Sequence, residues 1–397
     1  MTLDARRIVA PLAAVAAIGT LASLAPASAA GKPVPSGKSV PSGKPAESAN
    51  AKIGGPLMAS TGVVVNYPAR GALQLPRLPA SAYVIADANT GAVLAAKNPH
   101  GLFAPASTLK VLTAITLLPK LNPNMLVTAT KMAASVEPNI IGLIPGHKYR
   151  VADLFRALLL ISANDAAVSL VQATGSFTKG MAMINAEAHH LQAYDVVAKV
   201  PNGLPATGQV VSAYDLALIA RQALSMPAFM KYDSTLTARF PLTNRKQVPM
   251  LNQNYLLTQY KGGIGGKIGW TIKAEATYIG MARRHGVTLI ATVLHCTSLQ
   301  EIYSAEKLLN WGFAMVNHVR PVGTLVAPLQ PARPHLTKHQ QAQKARASLS
   351  GSLATSSSTS RTAGIAIGGA IAAVLCAGLV GFILLRRRSA AAKKSAT

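Results

Sequence analysis

Short apolar runs separated by turn residues mark two stretches of this chain as β-hairpins. Residues 83–87 and 92–96 are apolar runs on either side of an Asn-Thr-Gly turn, which is typical of a hairpin. Residues 276–283 and 286–294 form a second such pair around Arg-His-Gly. Lys267 comes just before this second hairpin and is predicted to lie on a strand at the edge of the sheet.

Apolar positions at helical spacing lie between the two hairpins and after them. Residues 107–118 have this spacing and are followed by a proline, which predicts a helix that ends there. Residues 152–161 predict a second apolar helix, with 162–164 as the loop that leaves it, and residues 300–316 predict a closing helix. Strands from both ends of the domain, with helices around them, indicate an α+β fold with a mostly antiparallel sheet.

The two ends of the chain have the patterns of targeting segments. Two arginines precede an apolar stretch over 8–24, and Ala-Ser-Ala follows, so residues 1–29 are predicted to be a signal peptide. Residues 363–385 are apolar and long enough to span a bilayer, and the basic segment 386–397 follows at once. Basic residues directly after an apolar segment predict one transmembrane helix, with a cytoplasmic tail and an extracellular main domain. The alternative is a buried core helix.

Two segments of low complexity separate these ends from the central domain. Residues 30–75 are rich in Pro, Ser, Gly and Lys and predict a disordered spacer. Residues 321–362 are rich in Pro, Gln, Ser, Thr and basic residues and predict a disordered stalk. The central folded domain is therefore expected over residues 76–320.

The chain is strongly basic, with 39 Lys and Arg against 13 Asp and Glu and a formal net charge of +26. Such a charge can indicate nucleic-acid binding, but predicted export argues against it, and no basic-aromatic binding motif is present. Contact with anionic lipid headgroups or acidic wall polymers explains the cations better. The two cysteines, Cys296 and Cys376, and the histidines have no metal-ligand spacing. No metal site and no cofactor are predicted.

Three short motifs carry the candidate chemistry. Ser107 and Lys110 are three residues apart on a predicted helix, so the amine can reach the hydroxyl and take its proton. Ser162 and Asn164 belong to a Ser-Ala-Asn motif, and Lys267 begins Lys-Ile-Gly. Taken singly, these residues could also be a helix start with a solvated lysine, ordinary turn residues and a surface lysine.

The order and separation of these motifs resemble those of the D-alanyl-D-alanine carboxypeptidases, the low-molecular-weight penicillin-binding proteins. The resemblance covers about residues 78–315. It extends to further segments, which are 83–94, 184–188, 201–204, 212–216 and 252–257. The resemblance implies a β-lactamase/transpeptidase-like fold, in which helices flank an antiparallel sheet and a helical subdomain is inserted.

The resemblance also implies roles for the site residues. Ser107 is expected to be the nucleophile, Lys110 its base and Ser162 a proton relay to the leaving amine. The residues expected to bind substrate are Asn164, Lys267, Gly269, Trp270 and Thr271. Among these, the backbone N–H of Trp270 is expected to form an oxyanion hole with that of Ser107.

The implied reaction removes the terminal D-alanine from peptidoglycan stem peptides through an acyl-enzyme, and β-lactams are expected to acylate the same serine. Two positions depart from the family pattern: Ile268 replaces the usual threonine, and Gln253 stands where some relatives have an arginine. A wall-binding pseudoenzyme is therefore one alternative. A β-lactamase is another, although no Glu-x-x-Leu-Asn stretch follows the second motif.

Overall fold

The computed structural model of the chain describes residues 53–68 and 70–330. The predicted signal peptide, transmembrane helix and basic tail lie outside these residues, as do residues 30–52 of the predicted spacer and 331–362 of the predicted stalk. Within the described residues, none of the helices combines the length and apolarity needed to cross a bilayer.

The described chain alternates between strands and helices. The strands are β1 Val63–Val65, β2 Ala80–Asp87, β3 Ala92–Lys97, β4 Leu126–Thr128, β5 Lys148–Arg150, β6 Thr237–Pro241, β7 Gln247–Leu251, β8 Gly263–Thr271, β9 Glu275–Arg284, β10 Val287–Cys296 and β11 Gly323–Thr324. The α-helices are α1 Leu109–Leu117, α2 Lys131–Ala134, α3 Val151–Leu160, α4 Asn164–Gln172, α5 Phe177–His190, α6 Ala213–Leu224, α7 Pro227–Asp233, α8 Leu256–Gln259 and α9 Glu301–Met315. Short 3₁₀ helices span Pro56–Ala59, Ala106–Thr108 and Thr297–Leu299.

The main sheet has the strand order β1-β3-β2-β10-β9-β8, and β11 also pairs with β3. Each of these pairings is antiparallel. Both predicted hairpins are confirmed, as β2–β3 and β9–β10. The pairing of β2 with β10 joins the two hairpins and so brings the ends of the domain together, while β8 lies at the edge as the position of Lys267 predicted.

Two helical layers cover the two faces of this sheet. Along β2, Tyr83 and Ile85 face the layer that contains α9, while Val84 and Ala86 face the larger helical layer that contains α1 and α6. Successive side chains of a strand point to opposite faces, so both sets are buried and the strand is apolar throughout. The resulting sandwich is the α+β arrangement that the sequence predicted.

The larger helical layer is an insertion between β3 and β8. It contains α1 to α7 and two small hairpins, β4–β5 and β6–β7, whereas α8, which follows in the same insertion, packs Leu256 against the layer of α9. Every residue of α1 is buried, because this helix lies between the sheet and the other inserted helices. The insertion supplies one wall of the site described below, and β8 supplies the opposite wall.

The structure differs from the predicted domain limits at both ends. Val63–Val65 falls within the predicted spacer but pairs with β3, and Gly323–Thr324 falls within the predicted stalk but pairs with the same strand. Both are very short edge strands whose partners are distant in the sequence. Local composition therefore gave no sign of them, because their order depends on hydrogen bonds across the fold.

Two local predictions were also wrong. Residue 107 was expected in the first turn of an α-helix, but it lies in the 3₁₀ turn Ala106–Thr108, and α1 begins at Leu109. Asn164 was expected in a loop, but it is the first residue of α4. The prediction of a loop rested on the preference of Ser, Asn and Asp for turns. In the structure, the Asn164 N–H donates to the carbonyl of Asn139, a residue distant in sequence, at 2.7 Å. Local residue preferences could not predict this contact.

Candidate active site

The three motifs meet at one cavity of about 310 Å³ between the helical insertion and β8. Its lining residues are Ser107, Pro138, Asn139, Ser162, Asn164, Gly203, Leu204, Gln253, Ile268, Gly269, Trp270, Thr271 and Glu301. Of the predicted site residues, Lys110 and Lys267 are absent from this lining; both are almost fully buried.

Lys110 has three hydrogen-bonding neighbours. Its Nζ lies 2.7 Å from Ser107 Oγ, 2.7 Å from Asn164 Oδ1 and 2.8 Å from the Asn202 carbonyl oxygen. The two amide oxygens can only accept, so they take two amine hydrogens. In the neutral amine the lone pair then faces the Ser107 hydroxyl, which is the arrangement a general base needs.

The surroundings of Lys110 favour this neutral form. Complete burial lowers the pKa of Lys110 well below its ordinary value, because a buried ammonium loses its hydration. The positive charge of Lys267 lowers this pKa further, and the negative charge of Asp165 opposes the shift. Lys110 is therefore better suited to accept the proton of Ser107 than an exposed lysine would be.

Asn164 is fixed between the base and the helical insertion. Its Oδ1 accepts from Lys110, and its Nδ2 donates to the Glu137 carbonyl at 2.7 Å. Because the carbonyl at 137 can only accept, this second bond also determines which way the Asn164 amide faces. Asn164 lines the cavity, as expected of a substrate-binding residue, and in addition it orients the base.

Ser162 has an unusual backbone conformation. Its φ of 62° lies in the left-handed region, which a non-glycine residue adopts only when its surroundings hold it there. The side chain is only 4% exposed, and within residues 53–68 and 70–330 its Oγ has no hydrogen-bond partner. Ser162 Oγ therefore makes no hydrogen bond to Lys110 in this structure, and its role as a relay stays a prediction.

Two glycines allow the chain to pass close to the nucleophile. A Cβ on Gly269 would lie 2.7 Å from the Ser107 nitrogen, so only glycine lets β8 approach the Ser107 backbone. A Cβ on Gly203, which has a φ of +81°, would lie 1.7 Å from the Ala106 carbonyl oxygen. Gly203 therefore holds the segment that brings the Asn202 carbonyl to Lys110.

Lys267 is a residue of β8 and is 2% exposed. Its Nζ donates to the Ile268 carbonyl at 2.9 Å. Burial lowers the pKa of Lys267 to about 8, and the charge of Asp233 raises it in part. Asp233 is itself fully buried and accepts from the Gly266 N–H at 2.7 Å, and burial raises its pKa to about 7.

The last two predicted substrate-binding residues end strand β8. Trp270 is 58% exposed, so its side chain does not pack in the core. Thr271 Oγ1 accepts from the Ala274 N–H at 3.0 Å and thereby stabilises the β8–β9 turn. Both residues line the cavity beside Ser107.

Sequence reasoning assigned no role to Asn202, Asp233 or Glu301. Asn202 acts through its backbone carbonyl, Asp233 ends a helix in a different part of the chain, and Glu301 begins the closing helix. The segment 201–204 had been noted for its resemblance, which was the only available signal. No pattern in the sequence links Asp233 or Glu301 to the three motifs.

A buried cluster outside the cavity has donor atoms of metal-ligating type. His100, Asp195 and Asp215 each place one such atom within 4.8 Å of the others. His100 Nδ1 lies 2.6 Å from Asp195 Oδ2, its Nε2 lies 3.0 Å from the Ile53 carbonyl, and Asp215 accepts from the Asp195 N–H. Both ring nitrogens of His100 thus contact protein oxygens, and the contact with the Ile53 carbonyl stabilises the position of Ile53 against the domain.

Comparison with known proteins agrees with this geometry. The model of a protein family described as D-alanyl-D-alanine carboxypeptidase matches residues 70–298, a range that includes all three motifs. The chain belongs to this family. The match to the family model ends before α9, so Glu301 lies outside the matched range.

Two curated carboxypeptidases illustrate the relationship. D-alanyl-D-alanine carboxypeptidase DacB2 of Mycobacterium tuberculosis is 36% identical over 261 residues, which are 64% of this chain and 89% of that protein. D-alanyl-D-alanine carboxypeptidase DacF of Bacillus subtilis is 28% identical over 242 residues, which are 59% of this chain and 62% of that protein.

Solved structures show the same fold. The crystal structure of a D-alanyl-D-alanine carboxypeptidase from Mycobacterium tuberculosis has a TM-score of 0.61 and 33% identity, and the match covers 67% of this chain and 100% of that one. A mutant Streptomyces DD-transpeptidase has a TM-score of 0.58 and 27% identity, with coverage of 60% and 99%. The expected transpeptidase-like fold is therefore confirmed.

Proposed function

We propose that this chain is a serine-type D-Ala-D-Ala carboxypeptidase that removes the terminal D-alanine from peptidoglycan stem peptides. The observation that carries the proposal is the position of the Lys110 amine, 2.7 Å from Ser107 Oγ, with two other hydrogens held by amide oxygens. Family membership and the named carboxypeptidase relatives support the same reaction.

In the first half of the reaction, Ser107 Oγ attacks the carbonyl carbon between the two D-alanines. Lys110 takes the hydroxyl proton as the O–C bond forms, and the carbonyl oxygen becomes an oxyanion. The C–N bond then breaks, and the leaving amine receives a proton from Lys110 through Ser162. D-Alanine departs, and the remaining peptide is an ester of Ser107.

In the second half, water attacks the ester carbonyl. Lys110 accepts a proton from the water, the bond to Ser107 Oγ breaks, and the proton returns to the serine. The shortened peptide leaves with a new carboxylate. The backbone N–H groups of Ser107 and Trp270 are the proposed oxyanion donors, a role favoured by the close approach of β8 to Ser107 at Gly269.

β-Lactams are the expected acylating inhibitors, because they present a strained amide to the same serine. No cofactor takes part in the proposed steps. We also propose that the protein is exported and anchored in the cell membrane by residues 363–385, with the catalytic domain extracellular and the C-terminus cytoplasmic. The apolar and basic sequence pattern at the two ends supports this location.

Release of D-alanine from a synthetic peptide ending in Lys-D-Ala-D-Ala tests the function. The 397-residue chain is compared with Ser107→Ala and with Ser135→Ala, an exposed serine, as the matched control. We expect release from the parent and the control, and none from Ser107→Ala. Folded protein that binds the peptide without releasing D-alanine would instead favour the pseudoenzyme. Rapid turnover of a β-lactam would favour the β-lactamase.

A further inference from the structure

Another cavity, of about 480 Å³, lies within the helical insertion and adjoins the active-site cavity. All of its lining residues fall between positions 132 and 205, and we call it the insertion cavity. Leu204 lines both cavities. The linings also meet along the chain, because Glu137 and Asn202 line the insertion cavity while their neighbours Pro138 and Gly203 line the active-site cavity. The two cavities are therefore continuous neighbours.

Hydrogen bonds place Glu137 close to the nucleophile. Lys110 Nζ lies 2.7 Å from Ser107 Oγ and 2.7 Å from Asn164 Oδ1, and Asn164 Nδ2 lies 2.7 Å from the Glu137 carbonyl oxygen. These successive contacts limit the distance between Ser107 Oγ and the Glu137 carbonyl oxygen to about 10 Å. Glu137 is exposed, so a peptide bound at Ser107 can reach its carboxylate from solvent.

The lining of the insertion cavity is mainly apolar, with one acid. Its apolar side chains include Met132, Val136, Val168, Phe177, Val200 and Leu204. Glu137 is the one charged residue among the described residues of this lining, and within residues 53–68 and 70–330 it takes part in no ion pair. A ligand group that matches this surface has an aliphatic stem and a cationic end, as a lysine side chain does.

The direction of the bound peptide brings such a group within reach. In the proposed reaction, the leaving D-alanine carries the terminal carboxylate that Lys267 on β8 attracts. No described residue of β8 lines the insertion cavity, so this cavity is available to the acyl side of the peptide. The residue before the attacked D-alanine lies about 3.8 Å further along between Cα atoms, and a lysine adds a four-carbon stem. Its side chain can therefore pass Leu204 into the insertion cavity.

We propose that the insertion cavity is a substrate subsite for the side chain of the residue that precedes the two D-alanines. Glu137 is its specificity-determining residue and pairs with an ammonium group at the end of that side chain. The inference rests on the proposed function for the direction in which the peptide lies. It predicts that the enzyme distinguishes stem peptides by a residue outside the bond that is cleaved.

Binding to the Ser107→Ala protein tests the subsite without any need for turnover. Three peptides with a blocked N-terminus are compared by calorimetry at neutral pH, with lysine, Nε-acetyl-lysine or alanine before D-Ala-D-Ala. We expect the lysine peptide to bind about tenfold more tightly than the alanine peptide, because its aliphatic stem leaves water. It should bind about threefold more tightly than the acetylated peptide, as for one exposed ion pair.

Adding Glu137→Gln should abolish the preference for lysine over Nε-acetyl-lysine and leave the preference over alanine, because the apolar lining is unchanged. The matched control is Glu187→Gln, which changes a carboxyl of the same insertion outside both linings and should keep both preferences. Glu137→Ala is a second variant in case the glutamine does not fold, and thermal unfolding monitors both.

Three results would each overturn the proposal. The first is equal binding of the lysine peptide and either comparison peptide to the Ser107→Ala protein. The second is no measurable binding of any peptide. The third is a preference for lysine over Nε-acetyl-lysine that survives both Glu137 changes.

Turnover by the chain with Ser107 intact separates this proposal from the proposed function. Preference for the lysine peptide in binding, together with no hydrolysis of any peptide, would support the subsite and reject the carboxypeptidase. Hydrolysis of all three peptides with equal kcat/KM, and equal binding, would keep the carboxypeptidase and reject the subsite.

Discussion

The two walls of the cavity are built in different ways. On the wall from the helical insertion, the Lys110 amine has three hydrogen-bonding neighbours. The Asn164 side-chain amide makes a hydrogen bond through its oxygen and another through its nitrogen. On the wall from β8 and α9, Glu301 Oε2 has no hydrogen-bond partner within residues 53–68 and 70–330. Ile268 also lines this wall, and its side chain lacks the hydroxyl of the threonine that is usual in the family.

The difference indicates that the two walls serve different requirements. Proton transfer needs fixed distances, so the Lys110 amine and the Asn164 amide next to the nucleophile are held by several hydrogen bonds, whereas Ser162 Oγ has no partner among the described residues. The second wall offers the substrate fewer polar groups, because Ile268 has no hydroxyl and Gln253 has no charge. Changes on the first wall should therefore affect all substrates equally, whereas changes on the second should depend on the chemistry of the leaving group.

The largest expected effect comes from removing the base. Lys110→Met keeps the length of the side chain but cannot accept a proton, so acylation should slow by about 10³-fold. The loss should be the same for peptides ending in a carboxylate or a carboxamide, as measured by D-alanine and D-alaninamide release. Lys120→Met, at an exposed position, is the control. Loss confined to one of the two peptides would contradict the separation of the walls.

A smaller effect, which depends on pH, is expected from Asp233→Asn. The charge of Asp233 raises the pKa of Lys267, so its removal should bring this pKa below about 8. Lys267 attracts a carboxylate only while protonated, and a lower pKa means that this charge is lost at lower pH. The alkaline limb of kcat/KM for the acid-terminated peptide should therefore move to lower pH by about one unit.

The control for this change is Asp153→Asn, another buried carboxyl, which pairs with Arg150 and Arg156 instead. Its pH profile should match that of the parent. The carboxamide peptide should show little of the shift, because it lacks the charge that Lys267 attracts. Superimposable profiles for Asp233→Asn and the parent would show that Asp233 does not tune Lys267.

The smallest expected effect is a gain. Ile268→Thr restores a hydroxyl at the cavity lining, and one hydrogen bond to a terminal carboxylate should raise kcat/KM about fivefold. Ile268→Val has nearly the same shape without the hydroxyl and is the matched control. A gain in both variants would show that side-chain size at this position, and not hydrogen bonding, limits turnover.

Much of the site was predictable because its motifs are local. Ser107 and Lys110 are three residues apart, and residues so spaced share a helix face, so their contact follows from the sequence. Both hairpins were also predictable from short apolar runs around turn residues. The same reasoning failed for Asn164, which begins a helix and whose N–H donates to the carbonyl of Asn139, a residue that is not a sequence neighbour.

By itself, the sequence determined the reactive groups, the hairpins, the α+β class and the resemblance to the carboxypeptidases, because each is encoded in residues close together along the chain. Only the tertiary structure showed that the Asn202 carbonyl completes the contacts of Lys110, that Asp233 lies near Lys267, and that Glu301 enters the cavity. These relationships depend on the packing of elements distant in sequence. Burial and charge proximity, which set the pKa of Lys110 and of Lys267, exist only after that packing has formed.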